Sequence, residues 1–376
     1  GLIREELRNE AAAGLDDRVS ELSILCRETS PDARTHDRHG PALSLKRREV
    51  RRCIYSSSHA GDNGVAGNAQ VRTQAPSARD PLGIRPLILG ELNGAYILCS
   101  ETCALDIIGA KFVREIENGE VVVISEEGIE SHRPFPKQQA RPCIFEYIYF
   151  SRPDSILGGR SVYEVRKELG KQLAIESPVE ADVVVPIPDS GVPAALGYAQ
   201  QTGIPFELGI IRNHYVGRTF IEPTQTIRSL GVKLKHNANR AVVAGKRVVL
   251  LDDSIVRGTT SVKIVRMMYE AGAREVHMRI SSPPIKFPDF YGIDTPEEKS
   301  LLAATHTLEE MRQFIGVTSL SFISIEGVYR STGFAGRDNH RPQFTDHCFT
   351  GDYPTHLTDI IGESAKQQLS LLAEAG

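Results

Sequence analysis

Two adjacent carboxylates, Asp252 and Asp253, end an apolar run and stand directly before a turn of small hydroxylic residues in the stretch VVLLDDSIVRGTTS, residues 248–261. Side by side they repel each other, so the pair needs a positive or hydrogen-bonding partner, such as the hydroxyls of a sugar or a hydrated Mg²⁺. The residues that follow, Ser254, Arg257, Gly258, Thr259, Thr260 and Ser261, read as a loop entering a helix. Such a loop presents successive backbone N–H groups, the positive end of the helix dipole and, here, three hydroxyls, which together form a phosphate cradle. GTTS alone would be an ordinary helix cap. With the acidic pair in front of it, the stretch suits a phosphorylated sugar.

A second stretch, PIPDSGVPAAL, repeats the logic. A strand ends at Pro188, and Asp189, Ser190 and Gly191 turn the chain into a helix with Pro193 in its first turn, leaving N–H groups for a second anion. Two anion sites flanking an acidic pair imply a substrate with phosphate at one end and pyrophosphate at the other. Between the two stretches lies a long polar segment without clear period, bearing Arg212, Arg218, Arg228, Lys233, Lys235 and Arg240. Its length and positive charge suit a lid closing over an anionic substrate.

These groups must be placed by regular elements. SVYEVRKELGKQLAIE sets Val162, Val165, Leu169 and Leu173 on one helical face, and ADVVVPIP is a continuous apolar strand. GVPAALGYAQQTG predicts a helix ended by Gly203, FELGIIRN a strand, RVVLLDD a buried strand, SVKIVRMMYEAG a helix and EVHMRIS a strand. Strands and helices in alternation predict an α/β fold, a parallel sheet with helices on both faces, whose ligands bind at the carboxyl ends of the strands. Upstream, residues 79–142 change grammar: LILGEL, AYILCS and EVVVISEE, set off by NG, ENG and EEG, predict antiparallel hairpins with a helical turn near ALDIIG. Residues 26–78 are rich in Arg, Ser, His and Gly and keep neither the helical nor the strand period, so residues 1–78 are not expected to form a packed domain.

Length allows two or three domains, and 44 basic against 48 acidic side chains argue against a general nucleic-acid or membrane-surface binder. No stretch approaches the roughly 18 apolar residues of a membrane span, and the charged start GLIREELRNE does not read as a signal peptide. A cytoplasmic protein is expected. The six cysteines lack the spacings of a disulfide framework or a zinc ribbon, so reduced thiols are expected.

VVLLDDSIVRGTTS resembles the phosphoribosyl diphosphate (PRPP) motif of type I phosphoribosyltransferases. RDPLGIRPL, FEYIYFSRPDS, VPIPDSGVPAALGYA, RNHYVGRTFIEPTQTIR, VKLKHNANR, RISSPPIKFPDFYGID and CFTGDYPT resemble the amidophosphoribosyltransferase family across residues 79–358. The resemblance implies a type I phosphoribosyltransferase fold over residues 143–360, a short tail at 361–376, and transfer of phosphoribosyl from PRPP to ammonia as the first step of purine biosynthesis. It implies that Asp252 and Asp253 hold ribose hydroxyls and Mg²⁺, that Ser190 joins the metal and pyrophosphate contacts with Asp189 and Gly191, and that Arg257 to Ser261 take the 5′-phosphate. Tyr215, Arg218 and Lys235 would belong to the closing lid. Glutamine as ammonia donor, purine nucleotides as inhibitors and a homo-oligomeric state are implied as well.

The family's other half is a glutaminase with an N-terminal nucleophile, a processed cysteine whose own amino group serves as base. This chain begins with Gly1, and residues 79–142 resemble only the later α+β hairpin part of that domain, with Asp106 of ETCALD at a glutamine-binding position. Glutamine-driven turnover is therefore expected to be lost. GLIREELRNE resembles a family segment, after which the likeness vanishes until Arg79. An out-of-frame stretch in the coding DNA or a divergent insert would produce this; the former is expected, and resequencing that finds an intact frame would contradict it. Part of the family holds an iron–sulfur cluster on four cysteines. Cys143 and Cys348 match two of the positions, but Asp289 and Thr345 take the others, so no cluster is expected. A nucleobase-accepting phosphoribosyltransferase, a PRPP-binding module without turnover and an inactive fragment are the alternative readings.

Overall fold

The computed structural model describes residues 74–125, 128–213, 236–292 and 297–357. Two textures follow each other along the chain, as the sequence predicts. The first comprises β1 (Gln74–Ala78), β2 (Ile88–Leu92), β3 (Ala95–Cys99), α1 (Thr102–Ile108), β4 (Lys111–Glu115), β5 (Val121–Ser125) and β6 (Gly128–His132). β3, β2 and β4 form one antiparallel sheet, and β1, β5 and β6 another. The β2–β3 turn is Asn93–Gly94, both with positive φ, as the NG signal requires. β1 falls inside the zone expected to be irregular. QAPSA has no apolar alternation of its own, and its strand conformation comes from pairing with the apolar β5, Ala78 opposite Val121.

The second texture is the alternating one. After a π-helical turn at Glu146–Phe150 and a minimal hairpin of β7 (Ile156–Leu157) and β8 (Arg160–Ser161) come α2 (Val162–Glu176), β9 (Val183–Pro186) and α3 (Val192–Thr202). Next are β10 (Ile210–Arg212), β11 (His236–Ala238), α4 (Arg240–Val243), β12 (Arg247–Asp252), α5 (Thr259–Glu270) and β13 (Glu275–Ile280). α6 (Leu302–Thr305), α7 (Leu308–Ile315), β14 (Ser319–Phe322), α8 (Ile325–Ser331) and α9 (His347–Thr350) complete it. Ser161 caps α2 by accepting from the Glu164 N–H, and Gly203 ends α3 in the left-handed region at φ 74°.

The central sheet is parallel, in the order β14-β13-β12-β9. Successive residues of its strands feed opposite cores. Val184, Val249 and Leu251 pack on one side, whereas Val183, Val185, Val248 and Leu250 pack on the other. α2 and α3 cover the first side at backbone contact, because a Cβ on Gly170 would lie 1.8 Å from the Ala194 carbonyl oxygen and one on Gly197 1.9 Å from that of Lys167. The strand expected over FELGIIRN is split. Phe206 bridges Val184 on the free side of β9, the Gly209 N–H turns back onto the Glu207 carbonyl, and only residues 210–212 go on to form β10, paired antiparallel with β11. Counting that bridge, the chain first steps to one side of β9 and then crosses to β12 on the other. The carboxyl ends of β9 and β12 thus border a topological switch point, where open α/β sheets form their binding crevice.

Candidate active site

Both sequence-predicted loops open at this crevice. β12 runs to Asp252, with Asp253 directly after it, and β9 feeds the Ile187–Gly191 turn, whose Pro188–Asp189 peptide is cis. The turn is pressed onto the end of β12: the Ile187 N–H donates to the Leu251 carbonyl at 2.8 Å, and a Cβ on Gly191 would stand 2.5 Å from that oxygen and 2.9 Å from the Ile187 oxygen. No side chain fits at Gly191. Gly191→Ala should push the turn off β12, costing about 1–3 kcal/mol by overpacking. Binding of pyrophosphate-bearing ligands should weaken tenfold or more, measurable by titration calorimetry beside a thermal melt.

The pair itself is deep. Asp253 is buried, Asp252 is half-buried, and the Asp253 N–H donates to Asp252 Oδ1 at 3.0 Å. Burial first, then the adjacent charge of Asp253, pushes Asp252 well above the ordinary carboxylate range. Burial raises Asp253 too, opposed by hydrogen bonds from Ser190 and Ser254 and by the charge of Arg166. Ser190 and Asp253, from different loops, therefore meet. A pair held this way is under-compensated even with Arg166, and a hard divalent cation or sugar hydroxyls would supply what is missing. The donor set of Ser190, Asp252 and Asp253, all oxygen, fits Mg²⁺.

On the phosphate side, Gly258 opens α5 with φ 72° and no side-chain cap, so the first-turn N–H groups keep their free donors. Arg257, Thr259 and Thr260 are exposed around that end. Ser261 is buried at 4% exposure, so the open cradle is made by the other three and the backbone. The loop is pinned from behind by the Leu302 N–H on the Val256 carbonyl, 2.8 Å. Asp189 of the other loop is exposed and pairs with Arg212 at the end of β10, which ties the turn to the stem of the predicted lid. Tyr215, Arg218 and Lys235 lie outside the described residues.

Arg166 escaped the sequence reading. Its guanidinium is buried, donating from Nε to the Tyr147 carbonyl (2.8 Å) and from Nη2 to the Ser151 carbonyl (2.7 Å), and its charge acts on Asp253. The signal was present. Arg166 stands four residues after Val162 and three before Leu169, a charge on the apolar face of the helix. Asp106 is exposed on α1 in the hairpin part. The four positions of the cluster comparison do gather: Cys143 bridges Thr345, and Cys348 adjoins Asp289, but the Thr345 hydroxyl is taken by the Arg141 carbonyl at 2.6 Å. With two thiols among them, these residues do not fit a four-cysteine cluster. Cys99, Cys103, Cys143 and Cys348 are free and buried, as expected for reduced thiols.

Residues 156–281 match the family model described as the phosphoribosyl transferase domain, so the crevice lies in a domain of type I phosphoribosyltransferase fold. The chain is 63% identical over 321 residues to the amidophosphoribosyltransferase of Rhizobium etli, covering 84% of this chain and 65% of that protein. It is 54% identical over 287 residues to that of Bacillus subtilis, covering 76% and 60%. Among solved structures, the glutamine PRPP amidotransferase from B. subtilis complexed with ADP and GMP superposes with a TM-score of 0.71 at 53% identity, over 77% of this chain and 63% of that one. Over the part they share, the chain is similar to amidophosphoribosyltransferases. It spans less than two thirds of the length of these relatives. No helix among the described residues is long and apolar enough to cross a membrane.

Proposed function

We propose that this chain transfers the phosphoribosyl group of PRPP to ammonia, giving 5-phosphoribosylamine and pyrophosphate at the first step of purine biosynthesis. One observation carries the reading: the two loops expected to bind anions meet at a topological switch point with an under-compensated carboxylate pair between them. The first turn of α5, with Arg257, Thr259 and Thr260, would hold the 5′-phosphate, and residues 189–191 the pyrophosphate. Asp252 and Asp253 would accept from the ribose hydroxyls and, with Ser190, hold Mg²⁺. Bound Mg²⁺ would neutralise the departing pyrophosphate.

The reaction needs no protein nucleophile. The C1–oxygen bond breaks with its electron pair leaving on pyrophosphate, the ammonia lone pair forms the new C1–N bond, and one proton departs from nitrogen. Asp252 and Asp253 lie where the positive charge developing on the ribose would be favoured, and the loops fix the two ends of the substrate, so positioning and electrostatics supply the acceleration. The β10–β11 stem carries the segment of Tyr215, Arg218 and Lys235, proposed as the lid that excludes water. The relative's complex with ADP and GMP supports inhibition by purine nucleotides here. A homo-oligomer in the cytoplasm completes the proposal.

Calorimetric titration with PRPP tests the binding half. Binding should need Mg²⁺ and should be displaced by pyrophosphate; equal binding with and without the metal would oppose the role of the carboxylates. Product analysis with ammonium, adenine and guanine as competing acceptors tests the other half, and nucleotide formation from either base would overturn the assignment of ammonia.

A further inference from the structure

Away from the crevice, a buried cluster brings together three side chains with metal-ligand chemistry. His347 Nε2 lies 2.9 Å from Asp289 Oδ2 and 3.4 Å from Cys348 Sγ, and one ligand atom from each residue lies within 4.8 Å of the others. All three are buried, His347 completely. We propose that Asp289, His347 and Cys348 bind one thiophilic divalent transition-metal ion such as Zn²⁺ in a buried site.

The geometry requires little adjustment. A tetrahedral zinc ion with Zn–N and Zn–O near 2.0–2.1 Å and Zn–S near 2.3 Å separates N from O by about 3.3 Å and N from S by about 3.6 Å. The present distances, 2.9 and 3.4 Å, are those of a hydrogen-bonded set that opens by a few tenths of an ångström. Surrounding groups already orient the ligands. Asp289 Oδ1 accepts from the Tyr291 N–H at 2.8 Å, and the Cys348 carbonyl accepts from the Lys286 N–H at 2.9 Å. The imidazole lies between the rings of Tyr291 and Tyr353, with centroids 5.0 and 4.9 Å away. With Nε2 on the metal, the ring proton resides on Nδ1, which no group takes up among the described residues. Arg85, 4.0 Å from Asp289 and paired with Glu146 at 2.8 Å, stays beside the site as a compensated charge.

The ion would clamp two separate stretches of chain, at residues 289 and 347–348. The test uses the full chain, stripped with a chelator and titrated with Co²⁺. The expected result is saturation near one ion per chain, with a thiolate-to-cobalt charge-transfer band and the intense d–d bands of tetrahedral Co²⁺. Cys348→Ser should abolish the charge-transfer band with the far-ultraviolet circular dichroism retained, and added Zn²⁺ should erase it in the wild-type chain. The Asp252→Asn, Asp253→Asn protein should keep the band, because oxygen ligands give none. A folded wild-type chain that shows no thiolate band would overturn the proposal. Recovery of iron with sulfide at these residues would overturn it as well.

Discussion

Replacing Asp252 and Asp253 together by asparagine should make the protein more stable at neutral pH while removing its activity. Both carboxyls are raised above their ordinary range, Asp252 the more strongly, chiefly by burial. A carboxyl with a raised folded-state pKa holds its proton longer in the native than in the unfolded chain. The native state then binds more protons over that window, so stability falls as pH rises from the unfolded value, near 4, through the folded one, and remains lower above it. Asparagine removes the penalty. A gain of about 1 kcal/mol, or roughly 2–4 °C in melting temperature, is expected at pH 7, shrinking toward zero as the pH falls to about 4. Pyrophosphate release from PRPP should fall by about 10²–10³-fold or more, because the groups aimed at the developing charge are lost. A double variant that is less stable at pH 7 than at pH 4, relative to wild type, would contradict the electrostatic account.

Arg166→Met should act in the opposite direction on stability. The guanidinium satisfies the carbonyls of Tyr147 and Ser151 and offsets the charge of Asp253 from within the fold. Its removal leaves two buried carbonyls without their donors and the charge of Asp253 less offset, a loss of about 1–3 kcal/mol. Because Arg166 lowers the pKa of Asp253, its loss should also move the acid limb of the pH–rate profile toward higher pH. Arg166→Lys, which keeps the charge but not the forked geometry, should recover part of that limb and less of the stability. Chemical denaturation and pH profiles of the three proteins separate the two effects. An unshifted acid limb in Arg166→Met would confine the residue to a packing role.

Much of the crevice is legible in the chain because its parts are local. The strand, acidic pair and glycine-to-helix turn of VVLLDDSIVRGTTS occur in one contiguous run, and so do those of PIPDSGVPAAL. The contact between the two runs is different. That Gly191 lies against Leu251, and that Ser190 meets Asp253, depends on the crossing from β9 to β12, which sequence spacing does not record. Arg166 carried a local signal, a charge on an apolar helical face, although its partner Asp253 is distant in the chain. β1 had none, since a polar, small-residue strand takes its conformation from the apolar strand beside it. The Asp289, His347 and Cys348 cluster needs a return of the chain from residue 289 to residue 347, again a matter of tertiary pairing, fixed by the amide of Lys286 on the Cys348 carbonyl.

The central claim is that the crevice between β9 and β12 exchanges pyrophosphate for ammonia on a phosphorylated ribose. Steady-state pyrophosphate release from PRPP and Mg²⁺, followed as ammonium is raised at fixed pH, tests it most directly. The account predicts a rate that rises with the free-ammonia concentration, saturates, requires the metal and disappears in the Asp252→Asn, Asp253→Asn protein. A rate that ammonium does not raise, or that the double variant retains, would contradict it.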